Sequence, residues 1–376
     1  MRKRAYVAIA LLVAILSTVI FYGREKLREM GKEVVNVYGW YGIISRSILT
    51  EFEKETGIRV VYDVFDNNDT LEAKLLATNS GYDVIFPSFI PYAARQYCIG
   101  AYIKLDQSQL PNMKNLETLV TRKFRDAGGD TDYLIPIFWG TTGIVYNYQT
   151  VLEAIGEEVT SYDVMFDADK ISKLARYGVS FPEEFIDIFP QARLYWEIEG
   201  DSEDPSNLQL YKKRFQAIRQ YIKKFSSNTV VNDLMTGEVC IAVCPSDNAW
   251  RAIRAAKTIR KDIRYVLPED AGILWVDCMC IPQGAPHVRN AHKFINFLLQ
   301  PAIAARITNE SGIFTNILSA SDLYSDEIRS DSDIFLTDAR LERLIMGNPN
   351  KSEKDLWYDK EASRVWSQIR MNKFDK

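Results

Sequence analysis

Side chains able to do covalent chemistry are scarce in this chain of 376 residues, which holds two histidines, His287 and His292, and five cysteines. Neither histidine comes with a recognisable nucleophile motif, and both are expected near the start of a surface helix. Carboxylate-only hydrolysis of the glycosidase type stays open on composition, since 50 acids are present. Cys278-Met279-Cys280 alternates along an expected strand, so both thiols face one side. With Cys240 and Cys244 they invite a metal reading, but neither spacing matches a zinc knuckle, and buried cysteine acting as a small hydrophobe accounts for them better. In an oxidising compartment five cysteines leave at least one unpaired, and one disulfide between the two strands stays open. Asp66-Asn67-Asn68-Asp69 looks like a calcium loop only at a glance. The rest of that pattern is missing, and helix capping by Asp69 or Thr70 explains the stretch better. Two further residues, Trp40 and Ser88, fall just beyond strand ends, where an open parallel sheet gathers its binding groups.

The elements that place them are legible from periodicity. Residues 34–38 form a short β-rich run, and 45–56 put Ile48, Leu49 and Phe52 on one helical face that stops at Gly57. A strand over 59–64, a helix carrying Leu71, Leu75 and Leu76, and a strand over 83–86 running into Pro87 and Ser88 complete a β-α-β-α-β unit. Leu208, Tyr211, Phe215, Ile218, Ile222 and Phe225 recur at intervals of three and four, marking a long amphipathic helix. A helix around Phe294–Leu298 breaks at Pro301 and resumes to Gly312, and Val365, Trp366 and Ile369 space a last one. A chain this long calls for two lobes. Hydrophobic content of 47% with 26% charge is that of a globular protein, and a net charge of −4 argues against nucleic-acid binding. A mildly acidic surface favours the approach of cations.

Tyr38-Gly-Trp40, Glu51-Phe-Glu-Lys-Glu-Thr-Gly-Ile58, Asp83-Val-Ile-Phe-Pro-Ser88, Trp139-Gly-Thr-Thr-Gly-Ile144 and Phe294-Ile-Asn-Phe-Leu-Leu-Gln-Pro301 resemble the periplasmic polyamine-binding proteins of ABC transporters, nearest the putrescine-binding branch. The likeness spans nearly everything after residue 33. It implies an α/β, two-lobed periplasmic-binding-protein fold of type II-like build, each lobe a mixed sheet flanked by helices, joined by hinge strands that cross at 141–143 and 277–281. Lobe 1 would take 34–142 and 279–330, and lobe 2 143–278 and 331–376. The implied function is capture of putrescine or spermidine between the lobes by a monomer and delivery to an inner-membrane ABC permease, without catalysis or cofactor. A polyamine sensor docking on a membrane receptor, or a binding protein for another small cationic solute, are the alternatives.

A polyamine combines cationic ends with a methylene spine. Burying the ammoniums requires carboxylates or several oxygen acceptors, and the spine and charges suit aromatic faces. The family pattern, carried over position by position, implies Trp40, Ser88, Asp187 from the second lobe, Trp275 and Asp277 beside the return crossing, and Phe314 where a tyrosine usually stands. Asp277 is expected to be the principal ammonium partner, held near water in the empty cleft. Trp139 is expected in hinge packing. The chain departs from the pattern at Tyr41-Gly42, which replaces a hydroxyl residue and an acid, and after the Cys240 strand, where Pro245 and Asn248 stand for a tryptophan and an aspartate. Asp247, one position away, could substitute for that acid. Tyr41 reads equally as a restored aromatic wall or as a residue of the lid edge.

The first 33 residues read as an export segment. Met1-Arg-Lys-Arg4 is basic and residues 5–22 are apolar apart from Tyr6, Ser17 and Thr18. A cleaved signal peptide and an uncleaved anchor both fit, because this apolar run is longer than the usual signal core and nears the length that spans a bilayer. Phe21-Tyr-Gly23 is a poor cleavage site. Mass spectrometry of the mature protein is therefore expected to find a sizeable fraction retaining residues before Arg24, and a homogeneous product starting between 24 and 34 would refute the anchor.

Overall fold

The computed structural model describes residues 33–77, 80–116, 118–198, 204–269, 272–347 and 353–373, the backbone alone at 353–356. The export segment before residue 33 lies outside them; among the described residues no helix is long and apolar enough to cross a membrane. Strand β1 (Val34–Trp40) pairs in parallel with β2 (Arg59–Phe65) along its length and with β3 (Val84–Ile85) at Val37 and Tyr38. The helix Arg46–Thr56 between β1 and β2 begins where the Ser45 hydroxyl accepts the Ile48 N–H and ends at Gly57, burying Ile48, Leu49 and Phe52 as its spacing predicts. The next helix, Asn68–Leu76, is capped by Asn67, not by Asp69 or Thr70. A cap accepts from an N–H two or three residues ahead, and the Thr70 N–H is itself the donor, 2.8 Å from Asn67 Oδ1.

The second sheet is organised by one long strand, β4 (Ile135–Asn147). Strands β5 (Val179–Phe181), β6 (Lys224–Phe225), β7 (Ile241–Pro245), β8 (Ile263–Val266), β9 (Ile273–Met279) and β10 (Phe314–Thr315) complete it, in the order β10-β4-β7-β5-β6 with β8 and β9 also on β4. The first half of β4 pairs antiparallel with β9 and β10, and its second half with β7 and β8. The partners of β4 change at Thr142, which faces both Ile273 of β9 and Pro245 of β7. Bridges from Ile85 to Cys280 and from Ser88 to Asp277 join β9 to the first sheet, so β9 touches both.

Two buried clusters flank these sheets. One holds Val35, Val37, Phe52, Phe86 and Phe294; the other holds Val179, Phe181, Phe215, Ile241 and Trp366. Of the stretch 331–376, Ile334, Leu336, Leu341 and Leu344 belong to the first cluster, and Val365, Trp366 and Ile369, on the helix Glu353–Arg370, to the second. The long helix expected through Phe225 stops earlier, at Pro205–Ile218. Phe225 leaves it because it pairs with Phe181 across β5 and β6 and sets its ring edge-on to Trp366, 5.5 Å between centroids. A strand following one helical turn can continue a spacing of three and four. Cys240, Cys244, Cys278 and Cys280 are buried free thiols and Cys98 is exposed.

Neither histidine lies on an open helix surface. The helix Val288–Leu298 packs into the first cluster, where buried His292 accepts the Asp106 N–H at Nε2 and contacts the Val288 carbonyl through Nδ1. His287 contacts Asp83, which has no exposure and accepts the N–H groups of Asn36 at 2.7 Å and His287 at 2.6 Å. This carboxylate ties β1 to a helix two hundred residues later. Asp83→Ala leaves two partly buried backbone donors without their carboxylate and is expected to cost roughly 2–4 kcal/mol in urea unfolding; a loss below about 0.5 kcal/mol would refute that role.

Candidate functional site

A cavity of about 1110 Å³ opens where the ends of β1, β3 and β7 meet the middle of β9. It is lined by every residue expected in the site except Phe314. Trp40 is the last residue of β1, and its position depends on the glycine before it. A Cβ on Gly39 would lie 2.3 Å from the Tyr62 hydroxyl, which donates to the Trp40 carbonyl at 3.1 Å. Trp275 is accommodated in the same way, since a Cβ on Gly140 would meet its ring at 2.3 Å. Both glycines permit a close approach that any side chain would block. Tyr41, at the mouth, is 74% exposed, while Phe65 packs on the Trp40 ring with centroids 4.3 Å apart.

Asp277 stands on β9 between the two sheets, and the expectation that it lies near water is corrected here: it is 4% exposed. The reason is the antiparallel bridge to Ser88, which brings a second backbone over it. Ser88 Oγ donates to Asp277 Oδ1 at 2.7 Å, and Asn68 in turn donates to Ser88 Oγ while accepting the Ser88 N–H, each at 3.0 Å. Burial pushes the Asp277 carboxyl up to about 7. The Ser88 bond opposes that shift, Asp247 adds to it, and the nearby Trp40 indole lowers it. Asp187 and Glu184, on the turn Phe185–Asp187 and just before it, face the cavity from the other side, and burial followed by their mutual repulsion raises the Glu184 carboxyl. Burial alone raises Asp187, although its side chain is partly open to the cleft.

Asp247 and Asn248 open the helix Ser246–Thr258 that follows β7. Neither is free, because the Arg251 guanidinium contacts Asp247 at 2.8 Å and Asn248 Oδ1 at 2.7 Å. Phe314 is not brought to the cavity. It is buried and stacks on Trp139, 4.9 Å between centroids, beside Tyr324 and Phe335. A phenylalanine has no polar tip to hold at a wet wall, so packing decides its place. Asn68, Glu184, Arg193 and Arg251 also line the cavity and were not singled out from sequence. Arg251 carried a signal, its spacing of four from Asp247 on an expected helix. Asn68 carried none beyond its place next to a cap.

Residues 47–335 match the model of a family described as bacterial extracellular solute-binding protein. The chain is 35% identical to the putrescine-binding periplasmic protein SpuD of Pseudomonas aeruginosa, across 91% of this chain and 93% of that protein. It is 30% identical to the putrescine-binding periplasmic protein PotF of Escherichia coli, across 91% and 92%. In fold it is similar to the spermidine/putrescine ABC transporter substrate-binding protein PotD of Streptococcus pneumoniae, with a TM-score of 0.75 and 24% identity over 91% of this chain and 99% of that one. The two-lobed α/β binding-protein fold is the one the motifs implied.

A carboxylate whose folded pKa is raised binds its proton more tightly when folded than when unfolded. Its stabilising share is therefore full below the unfolded value near 4 and is lost as pH rises towards 7. Asp277→Asn removes that loss. Relative to the unsubstituted protein, the variant should gain about 2 kcal/mol between pH 5 and pH 8 in ligand-free unfolding. A difference that does not change with pH would mean Asp277 titrates normally.

Proposed function

Since the chain belongs to the bacterial extracellular solute-binding protein family, we propose that it captures a polyamine, putrescine or spermidine, or a related linear amine, between its lobes and delivers it to an ABC transporter. The observation that carries the reading is Asp277, a buried carboxylate oriented by Ser88 on a cavity wall that also bears the indoles of Trp40 and Trp275. A buried carboxylate with a raised pKa is a poor structural choice by itself, and it becomes favourable once a cation arrives. The indole faces would hold a methylene spine and attract its charge. Asp187 and Glu184 offer a second acidic station from across the cleft.

Binding on this reading bridges the two halves and favours the closed arrangement, with β4 and β9 as the crossings about which closure occurs. Nothing in the proposed role requires turnover, a cofactor or nucleic acid. The protein would work as a monomer in the periplasm, where its relatives SpuD and PotF are named as residing, tethered to the inner membrane wherever residues 5–22 are retained. The excess of acidic residues over basic ones suits a cationic solute.

Calorimetric titration with linear amines tests this directly. Asp277→Asn keeps the shape of the wall but leaves the cation uncompensated, and is expected to weaken amine binding by about 3–5 kcal/mol. Affinity of the unsubstituted protein should rise as pH goes from 5.5 to 8, because the proton on Asp277 must leave before the ammonium pairs with it. Unchanged affinity in Asp277→Asn would remove this aspartate from the site.

A further inference from the structure

The cavity already contains a cation of its own. Arg251 projects from the helix Ser246–Thr258 into the cleft and pairs with Asp247 at 2.8 Å, using the same Nη2 to hold the Asn248 side-chain oxygen at 2.7 Å. Gly42 lies on the opposite bank, where a Cβ would sit 3.8 Å from Arg251 Nη1. The guanidinium therefore stands between the two positions, 42 and 248, at which the family pattern would supply acids. The one carboxylate left there, Asp247, is 9% exposed and engaged. An ammonium arriving at this end would meet a fixed positive charge whose counter-ion is already taken.

Unpartnered donors lining the cavity bear on the same point. Arg251 Nε and Trp275 Nε1 are buried without hydrogen-bond partners and both residues line the cavity, as does Trp40, whose Nε1 is likewise unpartnered. All are N–H donors, and buried donors left unmet are costly. An ammonium or guanidinium end has only donors to offer and could not satisfy them, whereas a carbonyl or carboxylate oxygen could. The two carboxylates differ in kind. Asp277 is held by the neutral hydroxyl of Ser88, while the acid beside Arg251 is already engaged by a cation.

Resting on the amine-capture reading above, we infer that the preferred ligand is a linear amine with one ammonium end, seated at Asp277, and one hydrogen-bond-accepting end, an amide or a carboxylate, seated at Arg251 and Trp275. Arg251 then acts as a specificity-determining residue that takes the place of the second ammonium of a diamine. An amide end would come from a singly acylated diamine and a carboxylate end from an ω-amino acid. Both share the chemistry of a hydrogen-bond acceptor at the other end of a short chain from an amine.

The test is calorimetry with three probes of equal spacing: 1,4-diaminobutane, N-acetyl-1,4-diaminobutane and 4-aminobutanoate. At least one acceptor-ended probe is expected to bind ten times tighter than the diamine, and which of the two wins identifies the acceptor. Arg251→Met should reverse the order, weakening the acceptor-ended probe and tightening the diamine at least tenfold as Asp247 is released. A diamine that binds unsubstituted protein more tightly than both other probes would overturn the inference while leaving amine capture intact, and this ranking needs no variant to fold. An order left unchanged in a folded Arg251→Met protein would also overturn it. Failure of all three probes and of spermidine to bind would instead bring down amine capture, and the inference with it.

Discussion

A carboxylate taken out of water where two sheets meet governs the arrangement of this molecule. Asp277 sits on β9, the strand that pairs with β4 along one edge and is bridged to the first sheet at Ile85 and Ser88 along the other. Its charge is disfavoured by burial and by the fields of Asp247 and Asp187, and only partly relieved by Ser88. Such a group is tolerated when its partners are fixed in advance, and here they are: Asn68 holds both the hydroxyl and the backbone N–H of Ser88. The helix carrying Asn68 is in turn started by Asn67, so a local cap orients a residue that fixes Ser88, and Ser88 reaches a strand 189 positions further on.

The same logic explains the glycines on either side. Gly39 lets the Tyr62 hydroxyl reach the Trp40 carbonyl, and Gly140 makes room on β4 for the Trp275 ring. Aromatic walls facing a charged floor are thus built from backbone that has been stripped of side chains where the rings must pass. The cavity is preorganised on strands, whose registers are set by many hydrogen bonds, while its exposed contributor, Tyr41, stays at the rim. Its polarity is uneven. Asp277 is held by a neutral hydroxyl, whereas Asp247 is engaged by the Arg251 guanidinium. Net charge describes only the long-range field, and the distribution within the cleft decides what can be held there.

Much of this was readable in the linear chain because it rests on local rules. Ser45 and Gly57 bracket a helix whose apolar face is the buried one, Pro301 and Gly312 bracket another, and Trp40 and Ser88 follow strand ends, where parallel sheets expose their binding groups. Each of these depends on a few neighbours and on a periodicity that the fold then obeys. Residues matched by motif, such as Asp187, Trp275 and Asp277, also reach the cavity, since related chains place the same segments around it.

Tertiary structure alone decided the rest. Whether Asp277 is wet or dry depends on a bridge to Ser88, 189 positions away in sequence. Whether Phe314 faces a ligand or a tryptophan depends on its pairing opposite Trp139 across β4 and β10. Phe225 left its helix because Phe181 and Trp366, from distant segments, offered its ring a better place. Local sequence determines which elements form and which face of each is apolar, because those are properties of neighbours on one chain. Burial, charge state and partnership are properties of a place in space, and only the packing of distant segments creates that place.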